Sequence, residues 1–116
     1  MRILLMALSV ILVGGSAAAQ VGFRITHEIG RTTPTQVEVK GVVFNEARAE
    51  ATDVSVTAEA VDAGGKVVAR GISYVASRIP ERGSASFVAK VPAVPGAATY
   101  RVSVSAYRFV PSFQGP

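Results

Sequence analysis

Beyond its first residues the chain alternates apolar and polar side chains with a period of two. QVEVKGVVF (36–44) puts Val37, Val39, Gly41 and Val43 on one face and turns Glu38 and Lys40 the other way. DVSVTAEA (53–60) puts Val54, Val56, Ala58 and Ala60 inward against outward Ser55, Thr57 and Glu59. SASFVAKV (84–91) sets Ala85, Phe87, Ala89 and Val91 against Ser86, Val88 and Lys90. TYRVSVSAY (99–107) sets Tyr100, Val102, Val104 and Ala106 against Arg101, Ser103 and Ser105. A helical period of 3.6 would scatter these apolar residues around a cylinder, so the four segments predict strands. VGFRITHEI (21–29) predicts a strand before them. The segment 67–75 predicts an edge strand: Val68, Ile72 and Tyr74 share a parity, but Arg70 intrudes on it, and edge charges oppose unwanted pairing.

Turn chemistry separates these runs. Asp62-Ala63-Gly64-Gly65-Lys66 offers two residues that take positive φ, with the Asp62 side chain placed to cap the turn. The polar stretch 45–50, Thr32 to Thr35 around Pro34, Pro80-Glu81-Arg82-Gly83 and Val94-Pro95-Gly96 punctuate the rest. Short strands at this spacing predict an all-β sandwich. The first residues have a different character. Arg2, an apolar run from Ile3 to Gly15 and the small-residue exit SAAAQ read as a signal peptide over residues 1–19, cleaved after Ala19 or, as second choice, Ala18. The run is shorter than the ~20 residues that span a bilayer, and no cysteine follows it to carry a lipid. An exported protein with no stable membrane anchor after cleavage is expected, periplasmic or secreted. Residues 20–110 then form one domain and 111–116 a C-terminal tail. With no cysteine in the chain, the domain has to be held by packing alone.

GVVFN (41–45), DVSVTAEAVDAGGKVV (53–68), RIPERGSASFVAKVP (78–92) and TYRVSVSAYRF (99–109) follow an order that resembles the FxLYD family of small exported bacterial proteins. The resemblance covers residues 37–108 and rests on G-x-V-x-N, an Asp-x-x-Gly turn and a Pro/Gly turn before Ser-x-Phe. Where the family's name motif would fall, the chain has Ala58-Glu59-Ala60-Val61-Asp62 and keeps only the aspartate. The resemblance implies a single immunoglobulin-like or fibronectin-III-like antiparallel sandwich of about seven strands, and no catalytic residues.

Charge and chemistry add mainly exclusions. Without Arg2, eleven Lys and Arg face eight Asp and Glu. The basic residues are scattered singly rather than gathered in the aromatic-interleaved stripe that nucleic acid requires. One histidine, His27, and no cysteine leave no metal site, and His27 reads as a solvated side chain. The serines fall mostly on outward positions, and no G-x-S-x-G elbow occurs. No enzyme and no cofactor are expected.

One feature departs from a plain surface. The outward parity of 36–45 begins with Glu38 and Lys40 and ends in Val42 and Phe44; that of 99–110 begins with Arg101 and Ser103 and ends in Tyr107 and Phe109. If the two strands are neighbours, Val42, Phe44, Tyr107 and Phe109 form an apolar strip for a protein partner or self-association. The alternative is that Phe23 or Phe113 folds over the strip as internal packing; if a variant with Phe44 and Phe109 replaced folds and still binds, the edge at 67–75 is the next candidate contact. The expected function is a non-enzymatic contact or structural module of the cell envelope. The rival expectation is a carrier or inhibitor that binds a small ligand between or beside the sheets, where inward alanines leave room.

Overall fold

The computed structural model describes residues 17–20, as a strand, and residues 22–111. Most of the expected leader, Phe113 and the tail from residue 112 onward lie outside the described residues. Seven strands follow one another: β1 Ala17–Gln20, β2 Phe23–Thr32, β3 Gln36–Asn45, β4 Ala49–Asp62, β5 Val67–Ile79, β6 Ser84–Pro92 and β7 Ala97–Pro111. All neighbours are antiparallel, in two sheets of order β1-β2-β3-β6 and β5-β4-β7. The packed layers are three long strands each, six rather than about seven. The four-residue β1 only extends the edge of the first sheet along the start of β2. No further alternating segment remains between residues 22 and 111 to supply another layer strand, because β4, β5 and β7 take up 13 to 15 residues each. The expected cleavage point falls within β1, and β7 reaches Pro111, one residue into the expected tail.

The period of two sorts the core as the sequence predicts. Val37, Val39 and Val43 of β3, Val54, Val56, Ala58 and Ala60 of β4, and Phe87, Ala89 and Val91 of β6 are buried, with Val102 and Val104 of β7 and Phe23 and Ile25 of β2. The inward alanines let the sheets approach closely. At the β5–β6 side the backbones meet: a β-carbon on Gly71 would run into the Lys90 carbonyl oxygen. Ser73 Oγ donates to the Val88 carbonyl at 3.1 Å on the same side. On the opposite side, His27 of β2 bridges the sheets, its Nε2 lying 3.1 Å from the Tyr100 carbonyl oxygen.

Ile72, Tyr74 and Ala106 lie elsewhere than their parity predicts. Ile72 and Tyr74 are exposed, because β5 presents Val68, Ala69, Val75 and Ala76 to the core instead. The register shifts where Ala60 pairs with Ala69 and Val61 with Val67, leaving Val68 as an extra residue on β5, and this bulge resets the strand's facing between Val68 and Ile72. Ala106 is exposed for a related reason. The β4–β7 pairing is irregular between Thr52 and Val56, where Asp53 takes φ 50°. In β4 the inward set runs Ala51, Val54, Val56, with two residues between the first pair where a regular strand has one. In β7 it runs Val102, Val104, and then resumes at Tyr107 and Phe109. His27, finally, is a half-buried bridge rather than a solvated side chain. Asp62 does cap its turn, its Oδ1 accepting from the Gly64 and Lys66 amides at 2.9 Å each.

Candidate functional site

Val42 and Phe44 belong to the first sheet and Tyr107 and Phe109 to the second, so the four do not make one strip. The change of parity in β7 turns Tyr107 and Phe109 toward Phe23. The Phe23 and Phe109 rings stack at 5.4 Å, and Tyr107 meets both edge-on at 5.0 Å. Gly22 lies beneath this cluster, where a β-carbon would strike the Phe109 ring, and its φ of 84° suits only glycine comfortably. Phe109 is thereby half-buried, and Tyr107 keeps 41% of its surface. Tyr107 and Phe109 thus pack over the buried Phe23 rather than beside Val42 and Phe44.

Val42 and Phe44 remain on the outer face of the first sheet. Register places Val42 between Thr26 and Ser86, and Phe44 between Arg24 and Ser84. The Arg24 guanidinium lies 4.0 Å over the Phe44 ring, a cation–π contact, while its Nε donates to Glu46 Oε2 at 3.0 Å. Arg24, Phe44, Asn45, Glu46 and Arg82 line a cavity of about 390 Å³ on this outer end.

Asn45 organises that end. It continues the inward parity of Val39 and Val43 and is fully buried. Its Nδ2 donates to the carbonyls of Ala49 at 2.8 Å, Ile79 at 3.0 Å and Pro80 at 3.2 Å, and its Oδ1 accepts from the Ala47 amide at 3.0 Å. Its backbone amide donates to the Gly83 carbonyl at 2.9 Å. One side chain therefore ties the β3–β4 turn to the β5–β6 turn, the arrangement a buried amide needs to offset its desolvation. In the sequence Asn45 reads as the first residue of a polar connection. The missed signal is its parity: an asparagine at an inward position beside a turn has to find its partners inside.

The most exposed large apolar side chains lie elsewhere, on edge strands. Ile72 is 71% and Tyr74 59% exposed on β5, opposite Thr57 and Ser55 of β4. Val88 of β6 is 49% exposed, and the Ser73–Val88 hydrogen bond brings that strand alongside. The Tyr74 hydroxyl donates to Asp53 Oδ1 at 3.1 Å; desolvation, then this bond and the carboxylate charge, raise its pKa. Farther along the same face, Glu59 joins Arg70 of β5 at 3.5 Å and Arg101 of β7 at 3.0 Å. Among the described residues, no three His, Cys, Asp or Glu side chains gather closely enough to hold a metal ion. Comparison with known proteins finds no matching family model, no matching curated protein and no matching solved structure.

Proposed function

We propose that the chain is an exported, non-enzymatic immunoglobulin-like module that makes protein contacts in the bacterial cell envelope, as its resemblance to the FxLYD family implies. The strand orders support the immunoglobulin-like reading. Sheets β2-β3-β6 and β5-β4-β7 correspond to the A-B-E and C′-C-F strands of that topology. The observation that carries the contact reading is the placement of Ile72 and Tyr74, large, apolar and mostly exposed on an edge strand. Buried alanines fill the space between the sheets, so surface rather than interior is what the module offers.

The test replaces Ile72 and Tyr74 by threonine, which suits exposed strand positions. Cross-linking in the native envelope, followed by mass spectrometry, should yield a defined adduct with the wild-type protein. The double variant should keep its circular-dichroism spectrum and lose that adduct. An adduct retained by the folded double variant would place the contact elsewhere.

A further inference from the structure

We propose that the cavity lined by Arg24, Phe44, Asn45, Glu46 and Arg82 binds a monoanionic carboxylate bearing an apolar or aromatic group. The lining carries two guanidiniums and one carboxylate, a net charge of +1. Arg24 commits its Nε to Glu46, and its other nitrogens carry four further donors. The Arg82 side chain has no ion-pair or hydrogen-bond partner among the described residues. Two guanidiniums of this kind match the planar, bidentate geometry of a carboxylate. The Phe44 ring, already under Arg24 at 4.0 Å, supplies an apolar wall for the rest of the ligand. The volume of about 390 Å³ suits a small organic acid.

Backbone geometry points to the same place independently. Gly83 N donates to the Pro80 carbonyl at 2.8 Å, closing a four-residue turn with Arg82 at its third position and φ 63°. A turn with positive φ there calls for glycine or asparagine, and an arginine holds it under strain. The turn is also pinned. Asn45 donates to Ile79, Pro80 and Gly83 carbonyls, and its chain neighbours are Phe44 and Glu46. The fold therefore fixes Arg82 at the cavity that Phe44 also lines, through the buried Asn45, at a position where a less strained residue was open to it. This is the preorganisation a binding site needs.

The experiment titrates the isotopically labelled protein with N-acetyl-L-phenylalanine and with its carboxamide, following backbone and arginine side-chain resonances. Saturable shifts at Arg24, Phe44, Asn45, Glu46 and Arg82 are expected for the acid, at least tenfold weaker for the amide. The tripeptide Gly-Gly-Phe, free and amidated at its C-terminus, separates the two sources of such a group. Binding of both free acids extends the site to chain termini; binding of the acetylated amino acid alone restricts it to small molecules. Arg82→Gly should lose binding at least tenfold while unfolding at or above the wild-type midpoint, since glycine takes positive φ without strain. Arg82→Gln, which keeps the side-chain length without the charge, should lose binding to a similar extent. Equal binding of acid and amide, no saturable shift, or unchanged binding by Arg82→Gly would overturn the proposal. So would an Arg82→Gly variant that unfolds earlier than wild type, because the arginine would then be serving the fold.

Discussion

Replacing Asn45 by alanine tests whether a single buried amide holds one end of the sandwich together. The substitution removes four side-chain hydrogen bonds, three given by Nδ2 and one received by Oδ1. Two amide hydrogens serve three acceptors, so the bonds are shared and their worth is less than fourfold. At about 1 kcal/mol net for each full bond, they contribute roughly 3 kcal/mol. The bond to the Ile79 carbonyl is buried, and leaving such an acceptor unpaired adds about 1–3 kcal/mol. The Ala49, Pro80 and Ala47 groups are only part-buried and recover some hydration, which offsets part of the loss. The expected cost is about 3–5 kcal/mol, a large share of the ~5–15 kcal/mol that stabilises a typical domain. Urea unfolding followed by circular dichroism measures it, with the slope checked for constancy. A loss within the ~0.5 kcal/mol typical of surface changes would refute the reasoning. Asn45→Asp sharpens the test through pH. Its carboxyl would face carbonyl oxygens in a dry site, which raises the folded-state pKa above the unfolded value of ~3.9. Any stability gained from the protonated form is then fully present below pH ~4 and lost as pH rises through the raised folded value. The variant should be least destabilised in acid.

Phe87→Ala should cost about 3–5 kcal/mol in the same assay, because Phe87 is buried between the sheets. Phe109→Ala should cost about 2–3 kcal/mol, below the range for a fully buried aromatic since Phe109 is half-exposed; a surface-like loss would dissolve the Phe23 stack. Gly71→Ala should cost about 1–3 kcal/mol by forcing β5 from the Lys90 carbonyl, and an unchanged melting curve would contradict that close approach. Tyr100, whose pKa burial raises, should titrate above the ordinary tyrosine value of ~10. Its neutral phenol is favoured in the fold, so the stability it contributes is present below pH ~10 and lost as pH rises through the folded value. Carbon-13 shifts of the tyrosine ring, assigned with Tyr100→Phe, would show an unshifted titration if the ring is instead solvated.

The layers and most of the core were legible because a strand's period of two leaves little freedom once one face is buried. Val39, Val56, Phe87 and Val102 follow from counting alone. The departures share one cause. An irregularity adds a residue to a strand and shifts every later side chain to the other face, and no composition rule marks it. The change from polar to apolar along one parity of β7 was the visible trace of such a shift at Asp53, and the apolar residues beyond it turn inward to Phe23. In β3 a similar change has another outcome, since Phe44 stays outside under Arg24. Pairing partners decide between the two, and they are not readable from one strand. The arginine cavity is not legible in the sequence because its members come from β2, β3, the β3–β4 turn and the β5–β6 turn, 58 residues apart between Arg24 and Arg82.

The proposed contact is tested most directly by what stands next to β5 in intact cells. A photoreactive amino acid placed at Ile72, with a second placed at the exposed Glu28 of β2 in the other sheet as control, reports it after irradiation of intact cells. The account predicts a defined adduct at position 72, identifiable by mass spectrometry as one protein or as a second copy of this chain, and none at position 28. Equal labelling at both positions, or none at 72, would contradict it.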